Sequence, residues 1–226
     1  MTHAMEITPI ARFHSPLTTK FGIPRQSGVV SHLSGWIELL PPYNQEEALR
    51  GLEAFDYLWL IWEFSASSVP STPRLTVRPP RLGGNERIGV FASRSPFRPN
   101  RLGLSSVRIE RVEGTRIYVR GADLMDGTPV YDIKPYVGYA DSHPDVRSGF
   151  VDVREWRRLT VVVPDDTARH FSSEQLSVLK DVLSQDPRPP YHDDPERVYG
   201  MPFAGRDVRF RVSGDRLEVL EAPAQT

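Results

Sequence analysis

Cysteine is absent from this sequence, which excludes disulfides, thiolate zinc sites, iron-sulfur ligation and a cysteine nucleophile. Its chemistry must rest on oxygen, nitrogen and aromatic groups. Lysine is nearly as scarce, with three residues beside 25 arginines. No apolar run approaches the roughly 18 residues of a membrane span. The N-terminal MTHAMEITPI lacks the basic and apolar regions of a signal peptide. A cytoplasmic location without membrane contact is the expectation. Net charge is -1, so whole-molecule attraction to a polyanion is missing, and a nucleic-acid partner must be held by a local patch. The histidines show no paired ligand spacing, and neither HExxH nor an Asp-rich calcium loop occurs, so no metal site is expected. GxSxG elbows and Gly-rich phosphate loops of the Walker or dinucleotide type are also missing.

What the chain does have is arginine in one place. Between Arg74 and Arg101 (RLTVRPPRLGGNERIGVFASRSPFRPNR) seven arginines face a single acid, Glu86. Pro79, Pro80, Pro96, Pro99 and the Gly83-Gly84 pair forbid a helix and fix turns, so the guanidinium groups sit on a stiff backbone. Such groups recognise carboxylates and phosphates through planar, two-pronged hydrogen bonds.

Short β-rich segments separated by Gly, Pro and Asn fill the first two thirds: 7–13, 36–40, 55–64, 88–92, 104–112, 116–122 and 130–136. Residues 106–112 and 116–122 read as a hairpin turning at Glu113-Gly114, and one short helix is predicted near 44–52. Many short strands with little helix imply a closed or nearly closed barrel, which removes exposed sheet edges. After about Val153 the pattern changes. A strand at 159–163 leads to a helix opened by Ser172 or Ser173, with Leu176, Leu179 and Leu183 on one face. Strands follow at 207–212 and 216–220. The fold class is therefore mainly β: a β-barrel over residues 1–152 and a small α+β accessory domain over 153–226.

Three further stretches carry candidate chemistry. In ADLMDGTPVYDIKPY, Asp126-Gly127 makes a tight turn. Period-two alternation then puts Val130, Asp132 and Lys134 on one side of a strand, with Tyr131 and Ile133 on the other. Asp132 and Lys134 are either a strand-borne ion pair or a functional pair. The loop Lys20-Phe21-Gly22-Ile23-Pro24-Arg25-Gln26, with its cation, aromatic, glycine and proline, is a surface turn or a ligand grip. In FDYLWLIWEF, Tyr57, Trp59 and Trp62 are most simply barrel core.

The motifs PRQSGVV, PYNQEEALRGLEAFDYLWLIWEF, RPPRLGGNERIGVFASRSPFRPNRLGLS, DLMDGTPVYDIKPY and QDPRPPY together closely resemble the TrmO (TsaA-like) family of tRNA methyltransferases. The resemblance implies a β-barrel binding S-adenosylmethionine, followed by a small C-terminal domain. It also implies methylation of N6 in N6-threonylcarbamoyladenosine beside the anticodon of threonine tRNA, and a homodimer. It assigns cofactor contacts to Pro24, Arg25 and Gln26, Ser65 and Ala66, Arg94, Leu104, and Gly121, Ala122, Asp123 and Leu124. On this reading Asp126 or Asp132 accepts the leaving proton, while Lys134, Arg98 or Arg25 holds the threonyl carboxylate or adjacent phosphates. Arg188 and Tyr191, on a proline-fixed turn, have the parts that grip RNA phosphate and stack a base. A non-catalytic RNA-binding module and a metal-dependent phosphodiesterase using Asp123, Asp126 and Asp132 are the rival readings.

Overall fold

The computed structural model describes residues 5–66, 72, 74–79, 86–153, 158–189, 192 and 194–225. Six antiparallel strands close a barrel: β1 (Ala11–His14), β2 (Ser34–Leu39), β3 (Tyr57–Glu63), β6 (Leu102–Glu113), β7 (Arg116–Arg120) and β8 (Pro129–Pro135). They follow the order β1-β2-β7-β6-β3-β8. Two-residue strands β4 (Thr76–Val77) and β5 (Ile88–Gly89) pair as a separate arm. Closure gives every barrel strand two neighbours, which leaves no edge for another chain to pair with. Alternate residues point inward, so Ile37, Leu58, Leu60, Val107, Ile117 and Val119 form a sealed core. Each such side chain contributes roughly 1.5–3 kcal/mol by leaving water.

The second unit is a four-stranded sheet ordered β10-β11-β12-β9, from β9 (Thr160–Val162), β10 (Tyr199–Phe203), β11 (Arg206–Ser213) and β12 (Arg216–Glu221). Among the described residues four α-helices accompany the strands. Short α1 (Gly138–Asp141) and α2 (Phe150–Val153) follow the barrel, and α3 (Asp165–Ala168) and α4 (Ser173–Ser184) belong to this sheet. Ser172 opens α4: its hydroxyl accepts the Gln175 N–H while the Gln175 side chain accepts the Ser172 N–H. Leu179 and Leu183 are fully buried, Val178 and Val182 nearly so, and Leu176 packs at the margin.

This second core also receives residues from far upstream. Leu17, Val30 and Leu33 are buried in it, and Phe21 and Ile23 pack against it. Gly22 (φ +89°) lies so close to Met201 that a β-carbon would stand 2.2 Å from the sulfur. The segment joining β1 to β2 is thus built into the C-terminal unit.

Several expectations needed correction. The first strand is shorter than 7–13, because Pro9 cannot donate to a ladder. The helix near 44–52 is two 3-10 turns, Glu46–Leu49 and Leu52–Ala54, interrupted by Gly51 in the left-handed region. Only Ile88–Gly89 of 88–92 is strand, since Val90–Ala92 curls into a 3-10 turn. Strand β10 (YGMPF) was not anticipated. Its Gly200 and Pro202 disguise it, and as an edge strand it tolerates the proline. In β8 a register shift opposite Ile61/Trp62 leaves Tyr131 as an extra residue. Val130 therefore points into the core, Ile133 packs against that core, and Asp132 and Lys134 face out. Val130 does not share their side. Of the aromatics in β3, only Trp62 is core; Tyr57 and Trp59 sit on the outer face.

Candidate active site

The bends at 24–28 and 121–124 are laced together. The Gly28 N–H donates to the Gly121 carbonyl (2.8 Å), and the Gly121 N–H donates to Leu33 (2.9 Å). Gly121 (φ +76°) adopts a conformation that a side chain would strain. Directly beyond, Asp123 sits at the inner end of the β6 wall. Trp62 Nε1 donates to Ser105 Oγ (2.9 Å), and Ser105 Oγ donates to Asp123 Oδ1 (2.5 Å). Burial pushes the Asp123 carboxyl up to about 6. The Ser105 hydroxyl, the residue's own backbone, the Arg94 charge and the Ser27 backbone N–H all oppose that rise. Arg94 Nη1 donates to Gln26 Oε1 (2.5 Å), so a cation, a carboxylate and an amide converge where the two bends meet.

Ala122 and Leu124 bury their side chains in the barrel core, so of these two residues only the backbone is left to meet a ligand. Pro24 is buried and Arg25 exposed. Arg25 Nη2 donates to the Asp186 carbonyl in the C-terminal unit (3.3 Å). Ser65 and Ala66 follow β3, where the Ser65 N–H donates to the Glu63 carbonyl (2.8 Å). Leu104 stands elsewhere. It alternates with Ser105 on β6, points outward and is 55% exposed.

The three acids in this region have different surroundings. Asp126 Oδ1 accepts the Ser15 N–H (3.0 Å) and lies 3.6 Å from His14 Nδ1. It lines a cleft of about 630 Å³ with Trp36, Tyr118, Arg111, Arg120 and Glu174. His14 stacks on Trp36 at 3.8 Å, and the Arg111 guanidinium lies 3.6 Å above Tyr118. Asp132 pairs with Lys134 (2.9 Å) on the outer face, opposite Ile61, which also pairs with Leu104. Asp123, Asp126 and Asp132 therefore form no common cluster. Among the described residues no group of three His, Asp or Glu gathers closely enough to hold a metal ion.

Arg98 Nη1 donates to the Ser93 carbonyl (2.6 Å) and bridges toward Val90. Arg188 grips Asp186 with two nitrogens (2.8 and 2.9 Å), its side chain only 11% exposed. Tyr191 lies outside the described residues. Sequence reasoning assigned no role to Ser105 or Ser27, and did not link Trp62 to Ser105 or Asp186 to Arg25. Ser105 left a signal: it is a hydroxyl at an inward position between Gly103 and Val107, where an apolar residue is the norm.

The chain is thus a closed six-stranded barrel trailed by a small α+β sheet, with a cation, a carboxylate and an amide gathered where two bends meet. Family models fit both halves in that order: the tRNA-methyltransferase O N-terminal domain over residues 12–142 and the TrmO C-terminal domain over 158–225. The chain belongs to the TrmO family. It is 42% identical to a putative S-adenosylmethionine-dependent methyltransferase, RcsF, of Pseudomonas aeruginosa, over 98% of each chain. It is 38% identical to the tRNA (adenine(37)-N6)-methyltransferase of Escherichia coli K12, over 96% of this chain and 97% of the relative. The crystal structure of TrmO from Pseudomonas aeruginosa superposes with a TM-score of 0.78 at 36% identity, covering 99% and 100% of the two chains. No helix among the described residues is long and apolar enough to cross a membrane.

Proposed function

We propose that this protein transfers a methyl group from S-adenosylmethionine to N6 of N6-threonylcarbamoyladenosine beside the anticodon of threonine tRNA, in the cytoplasm. Membership of the family across both domain models supports the reaction class, and the relatives named for adenine-37 methylation support the position. The observation that carries the reading is the meeting of Arg94, Gln26 and Asp123 where two backbone bends cross. S-Adenosylmethionine bears a carboxylate, an ammonium and an adenosine, and would supply an activated methyl on its sulfonium. The chain's cation, carboxylate and backbone donors fit those groups.

In this proposal Arg94 and Gln26 take the carboxylate end and Asp123 takes the ammonium. The backbone of Gly121, Ala122 and Leu124, with Pro24, Arg25, Ser65, Ala66 and Leu104, completes the cofactor contacts. The acceptor nitrogen is flanked by adenine and a carbamoyl group, so its lone pair is delocalised and its proton must depart. Asp132 or Asp126 takes that proton, and Lys134 with Arg98 neutralises the threonyl carboxylate or a phosphate. We assign cofactor holding to residues 1–152 and accessory contacts, Arg188 and Tyr191 included, to 153–226. A homodimer belongs to the same proposal. Exposed Tyr57, Leu104 and Tyr139 mark an apolar outer surface, and a second copy seated there would carry Leu104 toward a pocket that its own side chain faces away from.

Mass spectrometry of threonine tRNA nucleosides after incubation with the protein and S-adenosylmethionine tests the reading. One added methyl on the threonylcarbamoyl adenosine is expected, and Asp132→Asn or Asp126→Asn should lower turnover about tenfold or more, unchanged turnover in both removing the carboxylates from the mechanism. Unmodified nucleosides would refute the assignment.

A further inference from the structure

One exposed ring belongs to no part of the machinery above. Phe91 is 75% exposed and its neighbour Leu75 is 77% exposed, both on the arm formed by β4 and β5. The ring is rigidly presented. Val90 is buried beneath it, the Val90 N–H donates to the Leu75 carbonyl (3.0 Å), and the Ser93 hydroxyl donates to the Val90 carbonyl (2.9 Å). Arg98, fixed by its bond to the Ser93 carbonyl, holds its guanidinium 5.8 Å from the Phe91 ring centre. Along the same backbone Arg74 lies 4.2 Å over Phe97. The sequence from Arg74 to Arg101 contains one acid against seven arginines.

We infer that Phe91 is a stacking platform for an unpaired base of the RNA substrate, with the arm's arginines engaging the phosphates on either side. This rests on the tRNA reading and adds a subsite to it. A flat ring offered to solvent beside guanidinium groups suits a nucleobase, because every base has a π face and carries a phosphate next to it. A basic protein surface would be repelled by this charge and a neutral one would leave it unpaired, whereas RNA brings anions in register with its bases.

The test compares wild-type protein with Phe91→Ala and Phe91→Trp. Measured are KM for threonine tRNA, S-adenosylmethionine affinity by calorimetry, and sedimentation. The proposal expects Phe91→Ala to raise the tRNA KM about tenfold, in line with the loss of one base stack. Phe91→Trp should stay near wild type, with cofactor affinity and sedimentation unchanged in both. An unaltered tRNA KM in Phe91→Ala would overturn it. So would a change in sedimentation, which would make the ring a contact between protein copies. A parallel loss of cofactor affinity would make it a structural residue and count against the platform equally. Wild-type protein that leaves tRNA unmethylated would instead defeat the parent reading, so the two failures are distinguishable.

Discussion

Asp123 is a carboxylate kept where burial works against its charge. Folded, it holds a proton up to about 6, whereas an unfolded aspartate releases it near 3.8. Between those values the folded state binds more protons, so stability from this residue falls as pH rises and the cost is complete above about 6. Asp123→Asn removes that cost. Urea unfolding should find the variant more stable than wild type at pH 7.5, by on the order of 3 kcal/mol, with the gain gone near pH 4. Cofactor affinity should drop at the same time, as expected of a functional group held at some expense to stability. An equal gain at both pH values would reject this account. Gly103 guards the same site, because a β-carbon there would stand 2.4 Å from the Trp62 ring. Gly103→Ala should displace Trp62, break its bond to Ser105 and weaken cofactor binding several-fold in calorimetry. At this scale the sequence was only partly legible. Asp123 could be named from motif, whereas alternation puts Trp59 and Trp62 on opposite faces of β3 but, with apolar residues on both, does not say that Trp62 is the buried one and that Trp59 donates to Asp141 at the barrel surface.

Among elements, the segment between β1 and β2 behaves least as its local sequence suggests. Read locally it is a polar, Gly- and Pro-rich bend. Folded, it is held by Leu17, Phe21, Ile23, Val30 and Leu33 in a core contributed by strands nearly 200 residues later. Hydrophobic periodicity could not reveal this, because the partners are set by long-range packing and the anchors follow neither helical nor strand spacing. Gly22→Ala should therefore lower stability by roughly 1–3 kcal/mol, through both left-handed strain and collision with Met201, as denaturant titration would measure. The Asp186-Arg188 clasp supports the same segment through Arg25. Arg188→Ala is expected to weaken S-adenosylmethionine binding, with Arg188→Lys restoring little because the two-pronged grip is lost. Calorimetry returning wild-type affinity for Arg188→Ala would sever that link. Strand β8 gives the complementary lesson: its existence and limits were legible, but the extra residue at Tyr131 was not. One bulge reverses which side chains face the core.

For the molecule as a whole, the barrel and the α+β sheet were both legible in outline, because alternating strands and a capped amphipathic helix are local signals. Their interdependence was not. The barrel strands can close without residues beyond 152, yet the Pro24–Gln26 bend takes its footing from the other core. A fragment of residues 1–152 should retain a β-rich circular dichroism spectrum. It should also expose the Leu17–Leu33 anchors and bind S-adenosylmethionine at least tenfold more weakly than the full chain. Full-strength binding by the fragment would disprove the dependence. The order in which the ribosome makes these parts now matters. Barrel strand β8 is finished at Pro135, but the sheet that seats the bend is complete only at Glu221. At about 5–20 residues per second, shape precedes competence by several seconds. A nascent chain stalled after the barrel would look folded yet hold its donor only weakly, so translation through Glu221 acts as a licence for catalysis.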